Sequence, residues 1–177
     1  MVGITLLWYL NNFNVNQVCM NPELTLKIDY NINYLLIAVR GRIEDYQFAY
    51  FLNKSPFFLF RRMEKDVSYL INKKKIYFSA FEHINTELKR NSFLIKNKAV
   101  YNSELNTKGN LFLGDTISNT VFLIPELKEF DYFIKLIGIW EEKEFLVLKK
   151  FLYNMKNIES ETNINLKQIK SINNLVF

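Results

Sequence analysis

A chain of 177 residues, 49% apolar with only 5 glycines and 3 prolines, has the length and composition of one folded domain, which excludes a disordered or collagenous protein. Its formal charge of +5 permits anionic partners, although the abundance of Asn, Lys, Ile, Phe and Tyr is what an AT-rich genome writes everywhere and dilutes that signal. A single cysteine and a single histidine exclude a disulfide framework and the common zinc sites, and favour a reducing, cytoplasmic compartment.

The opening MVGITLLWYL is apolar, yet it lacks a basic leader and a small-residue cleavage site and is shorter than the ~20 residues of a membrane span. Neither export nor insertion is expected. Regular patterning begins only after Met20. Residues 1–19 therefore read as an extension upstream of the true start, or else as an added strand or short helix, and residues 20–177 as the single domain.

Residues 24–29 alternate as a strand, with Leu24, Leu26 and Ile28 on one face, and Asp29-Tyr30-Asn31 is a turn signal. Residues 34–39 are nearly continuous apolar, the pattern of a central strand covered on both faces. After Gly41 the spacing predicts a mostly buried helix over 43–53, opened by Glu44 and Asp45, whose carboxylates suit the positive end of a helix dipole.

From Ser55 to Phe122 the pattern changes to short strands, at 57–61, 66–70, 75–81, 92–95 and 111–113. Asn72-Lys73 and residues 106–110 read as turns of this meander. The segment 82–90 stays open between strand and one helical turn. Short connections between consecutive strands imply antiparallel pairing.

The best-defined stretch runs from Ile124 to Gly138. A strand at 119–124 must end or kink at Pro125, which offers no ladder N–H. After a polar spacer, residues 130–137 alternate, Tyr132, Ile134 and Leu136 facing one way and Phe133, Lys135 and Ile137 the other. Gly138 stops the strand, and a helix is predicted over about 141–155 with Phe145, Leu148, Leu152 and Met155 on one stripe.

Residues 24–29, 34–40, Gly41 and the helix at 43–53 repeat this order of strand, strand, glycine and helix, with Tyr34 set beside Tyr132 and one residue of slack at the glycine. Two copies are too few for a solenoid. They are either halves of a pseudo-symmetric domain or a chance likeness in a chain rich in Phe, Ile and Lys. Residues 163–170 are polar with room for one short strand, and the apolar C-terminus either folds back or is captured by a partner.

These elements predict one α+β domain: an antiparallel sheet of about six to eight strands with two principal helices on one face, the pseudo-repeat of two strand-strand-helix units being one of two open readings of its origin.

Little in the chain carries chemistry. His83 beside Glu82 reads as a surface or packing residue, since no nucleophile turn surrounds it. No phosphate-binding glycine loop is present. Glu126, Glu129 and Asp131 could serve acid–base or metal chemistry, but a tight turn and local backbone bonding explain them better. Arg61, Arg62 and Lys65, with Lys73, Lys74, Lys75 and Tyr77, interleave charge with aromatic rings, a weak pattern for RNA, and these lysines equally mark hairpin turns and sheet edges. No catalytic residue, cofactor or metal site is assigned.

The residues Ile124-Pro125-Glu126, three more, then Phe130-Asp131-Tyr132 resemble the defining motif of the IPExxxVDY family, small proteins of Bacteroidetes. The likeness extends through Tyr34-Leu35-Leu36-Ile37-Ala38, Asp45-Tyr46, Ala49-Tyr50 and Leu52-Asn53 to the closing Lys170-Ser171 and Asn173-Asn174-Leu175-Val176-Phe177. It covers Met20 to the end and departs at Phe130, where the family has Val. The resemblance implies a cytoplasmic bacterial protein with no established activity, catalytic residue or cofactor. The expected function is a non-enzymatic binding or scaffold role through a protein partner or a homodimer, with an RNA-associated accessory role as the alternative.

Overall fold

Leu36, Ile37, Ala38 and Val39 are fully buried in a row, the two-sided burial that their unbroken apolar run predicts. They belong to β1 (Tyr34–Gly41) in a computed structural model that describes residues 33–71, 74–104 and 116–177. The strands expected at 24–29 and 111–113, the turns at 72–73 and 106–110, and the boundary at Met20 lie outside the described residues.

After β1 come α1 (Asp45–Leu52), β2 (Arg61–Arg62), β3 (Val67–Ile71), β4 (Lys74–Phe78), β5 (Ala80–Asn85), β6 (Arg90–Lys96), β7 (Lys98–Glu104) and β8 (Thr116–Phe122). A 3₁₀ turn at Pro125–Leu127 leads into β9 (Tyr132–Ile137), α2 (Glu142–Tyr153), β10 (Ile158–Asn163) and two closing 3₁₀ turns, Leu166–Gln168 and Lys170–Leu175. Six strands form one antiparallel sheet in the order β10-β1-β9-β6-β5-β2, while β3–β4 and β7–β8 are separate hairpins. The fold is the expected α+β class with a mainly antiparallel sheet and two sizeable helices.

Both faces of the sheet are covered. On one side Ile37, Val39, Phe81, Leu94, Tyr132 and Ile134 pack against Phe48 and Leu52 of α1 and Leu148 and Leu152 of α2. On the other, Leu36, Ala38, Phe93, Ile95 and Phe133 meet Val67, Ile76 and Phe78 of the β3–β4 hairpin and Ile169, Ile172 and Leu175 of the closing segment. Each fully buried Val, Leu, Ile or Phe among them contributes about 1.5–3 kcal/mol of transfer free energy. The apolar C-terminal end thus folds back onto its own domain.

The two strand–glycine–helix segments are neighbours in space. β1 and β9 pair antiparallel with Ile37 opposite Ile134, and their helices lie on the same face, each opened by an extended glutamate, Glu44 and Glu141. The equivalence runs through Ile37 and Ile134, and through Gly41 and Gly138. Setting Tyr34 beside Tyr132 is one residue off, because a one-residue slip sends every side chain to the opposite face. Gly138 ends β9 at φ +103°, where a Cβ would also meet the Lys89 carbonyl at 2.8 Å.

The middle of the chain departs from the predicted meander. Residues 57–60 form no strand, because Asn53 clamps the Phe60 backbone from both sides, Nδ2 donating to its carbonyl at 3.0 Å and Oδ1 accepting its N–H at 2.6 Å. Phe58 and Phe60 are thereby buried under the helix layer. The run 75–81 breaks at Ser79 and serves two different sheets as β4 and β5. β7 was not expected. The open segment 82–90 resolves as strand to Asn85 and then a turn, in which Asn85 Oδ1 accepts the Leu88 N–H at 2.9 Å and Lys89 adopts φ +51°.

Candidate functional site

Asn97, fully buried between β6 and β7, organises the Ile124–Tyr132 motif. Its Nδ2 donates to the carbonyls of Leu127 and Phe130, each at 2.9 Å, and its Oδ1 accepts the Ile124 N–H at 2.9 Å. Its backbone completes the frame, its N–H donating to Asp131 O and its carbonyl accepting from Leu123 N, both at 2.8 Å. One amide side chain therefore satisfies the polar groups that Pro125 removes from any ladder.

The charged members of the motif are occupied by backbone. The Glu126 carboxylate accepts the Ser171 N–H at 3.0 Å and its hydroxyl at 3.1 Å, which fastens the closing 3₁₀ turn, and Asn174 Nδ2 donates to Leu123 O at 2.7 Å. Burial pushes Glu126 up, but the bonds from its own backbone, Ser171 and Lys170 outweigh it and hold the carboxyl below its ordinary range. Asp131 Oδ2 accepts the Gly41 N–H at 3.0 Å. The buried Tyr132 hydroxyl donates to Ile43 O at 2.5 Å, and burial, with Asp45, Glu44 and Asp131 nearby, raises its pKa. Glu126 and Asp131 lie at opposite ends of the turn and bond separate partners, Ser171 and Gly41.

Asp131 and Tyr132 also line an open cleft of about 870 Å³ at the end of the sheet. Around it stand Arg40 and Arg42 from the end of β1, Lys96 and Lys98 from the β6–β7 junction, and Lys128 from the motif turn. Glu159 of β10 takes Arg40 Nε at 2.9 Å and Arg42 Nε at 3.1 Å, one carboxylate between two guanidiniums. Lys96 lies 3.5 Å from Glu44. Among the described residues Lys98 and Lys128 form no ion pair.

The cations singled out for RNA are placed differently. Arg62 donates to Asp66 at 2.7 Å, sits 3.6 Å from Asp45, donates to the Ser79 hydroxyl and stacks its guanidinium 5.1 Å from the Phe81 ring. Asp45 is itself held low: burial pushes it up, but the Ser79 hydroxyl, the Tyr46 amide, Lys96 and Arg62 prevail. Arg62 and Lys75 share a groove of about 620 Å³ with Lys65 and Tyr77, but Arg61 and Lys74 do not line it, and Lys73 lies outside the described residues. Lys75 rests 5.6 Å from the Tyr77 ring.

Set against family models, curated proteins and solved structures, the chain matches none of them.

His83 is a packing residue. Its ring meets Phe58 and Phe60 edge-on at 6.3 and 6.4 Å, and burial lowers its pKa. It borders a pocket of about 170 Å³ that Trp140 also lines, with Arg90 4.7 Å from the Trp140 ring and forked onto Glu144 by two bonds of 2.9 Å. No cluster of His, Cys, Asp and Glu suited to a metal occurs among the described residues, and no helix there is long and apolar enough to cross a membrane.

Besides Asn97, two features escaped the sequence. Lys135, 4% exposed, points into the face opposite the helices, where its Nζ donates to Leu175 O at 2.6 Å between the rings of Phe177, Tyr34 and Phe93 at 4.5, 4.8 and 5.5 Å. Burial brings its pKa down to about 8. The convergence of Arg40, Arg42, Lys96, Lys98 and Lys128 was the other. Its one sequence signal was Arg-Gly-Arg, two of only five arginines, at the end of an apolar strand.

Proposed function

We propose that this chain, by its motif a relative of the IPExxxVDY proteins, is a non-enzymatic cytoplasmic binding module that engages a protein partner through the outer face of its helix layer. The observation that carries this reading is the aromatic stripe on α1. Tyr46 and Tyr50 stand one helical turn apart at 61% and 60% exposure, and Lys54 Nζ lies 4.6 Å from the Tyr50 ring. Rigid rings with a polar tip bury large area at low entropic cost, which makes them anchors of protein interfaces. On α2, Leu146, Val147 and Tyr153 are likewise exposed. The commitment of Glu126, Asp131 and Tyr132 to backbone groups supports a structural role for the motif.

The test is affinity capture of the tagged chain from its own cells, with and without ribonuclease. A protein partner that survives the nuclease and is lost from a Tyr46→Ser/Tyr50→Ser variant of unchanged melting temperature supports the reading. A strict monomer that retains nothing overturns it. An RNA role at Arg61, Arg62 and Lys73–Lys75 is the weaker reading, because Arg62 already holds two carboxylates. Partners that vanish on digestion would favour it.

A further inference from the structure

We propose that the cleft between the end of β1, the β6–β7 junction and the Lys128-Glu129 turn binds linked phosphate groups, such as those of a nucleoside di- or triphosphate or a nucleic-acid backbone. This does not rest on the helix-face reading. Five cations line the cleft against four carboxylates, Glu44, Glu129, Asp131 and Glu159, and three of the four are already engaged: Glu159 by both arginines, Glu44 by Lys96 and Asp131 by the Gly41 amide. Both arginine contacts to Glu159 run through Nε, and each guanidinium carries two further nitrogens that can donate to a second acceptor. Lys98 and Lys128, both exposed and without an ion pair among the described residues, extend the positive rim.

The backbone beneath is fixed. Gly41 N–H is held by Asp131, Arg42 N–H donates to Asn157 O at 3.0 Å, and a Cβ on Gly41 would meet that same carbonyl at 2.6 Å. The arginines thus project from a segment that need not reorganise to bind, which lowers the entropic cost of binding. A volume of about 870 Å³ admits a nucleotide-sized ligand. Cations spread over three segments match several linked charges better than a single carboxylate.

Calorimetric titration at low salt with pyrophosphate, ATP and a short single-stranded RNA tests the proposal. Binding of at least one probe is expected, weakened about tenfold or more by Lys98→Ala/Lys128→Ala at an unchanged melting temperature. Glu159→Gln, which removes the competing carboxylate, should strengthen it severalfold. Tighter binding of pyrophosphate and ATP identifies a small ligand. Tighter RNA binding that falls steeply with salt identifies a nucleic acid. Absence of binding to all three probes, affinity indifferent to the double substitution, or equal binding of citrate or oligoglutamate would overturn it.

Discussion

Asp131 Oδ2 accepts the Gly41 N–H at 3.0 Å across 90 positions of sequence, and the neighbouring Tyr132 hydroxyl reaches Ile43 O across 89. Together these bonds stitch the start of β9 to the end of β1. Asp131→Ala should cost about 1–3 kcal/mol by leaving a partly buried amide unpaired, and Asp131→Asn, which keeps an acceptor, should cost less. Urea unfolding measures both. Equal losses would show that charge, and not the bond, matters at this position.

Asn97 is predicted to be the most sensitive polar position. Asn97→Ala strands one N–H and two carbonyls inside the core, a loss of about 3 kcal/mol or more. Asn97→Asp keeps the acceptor but forfeits both donors and buries a charge, so it should be no milder. A change below about 1 kcal/mol in either variant would mean that the motif turn has another support.

The Glu126–Ser171 contact is exposed and should act locally. Glu126→Ala is expected to speed amide exchange at Ser171 and along the closing turn, while global stability falls by no more than about 1 kcal/mol. Unchanged exchange at Ser171 would refute a fastening role.

Lys135 sets the alkaline behaviour. Its folded pKa of about 8 lies below its ordinary 10.5, so between those values the unfolded chain binds more protons and stability rises with pH. Above about pH 10 the trend reverses. Tyr34, raised by burial to about 12, and Tyr132, raised by burial and neighbouring carboxylates, then stay protonated only in the folded chain, and their stabilisation is lost as pH climbs. Denaturant unfolding from pH 7 to 11 should therefore pass through a maximum near pH 10, and Lys135→Met should abolish its rising limb. A rising limb that persists in Lys135→Met would assign the titration to another group.

Much of this was legible in the residues, and the misses have physical causes. Period-two alternation placed Tyr132, Ile134 and Leu136 on one face and Phe133 and Lys135 on the other, and that held. The helix starts at Glu44-Asp45 and Glu141 and the break at Pro125 were equally local, since each depends on residues a few positions apart. Asn97 could not be singled out, because one asparagine in an Asn-rich chain carries no mark of its burial. Sheet membership was invisible for a similar reason: the strand pattern at 75–81 reads the same whether it serves one sheet or two.

What the sequence by itself determined is the existence of β1, α1, β9 and α2 and the alternating faces of β9, through periodicities of 2 and 3.6 residues, and the ends that Pro125 and Gly138 impose, but not the exposure of Tyr46 and Tyr50 on a helix expected to be mostly buried. Only the tertiary structure decided the strand order, the registry of Ile37 on Ile134, the aromatic enclosure of Lys135, and the meeting of Arg40, Arg42, Lys96, Lys98 and Lys128 around one cleft. Those relations join residues tens of positions apart, and they are fixed by hydrogen-bond pairing and close packing across the whole domain, which no local pattern records.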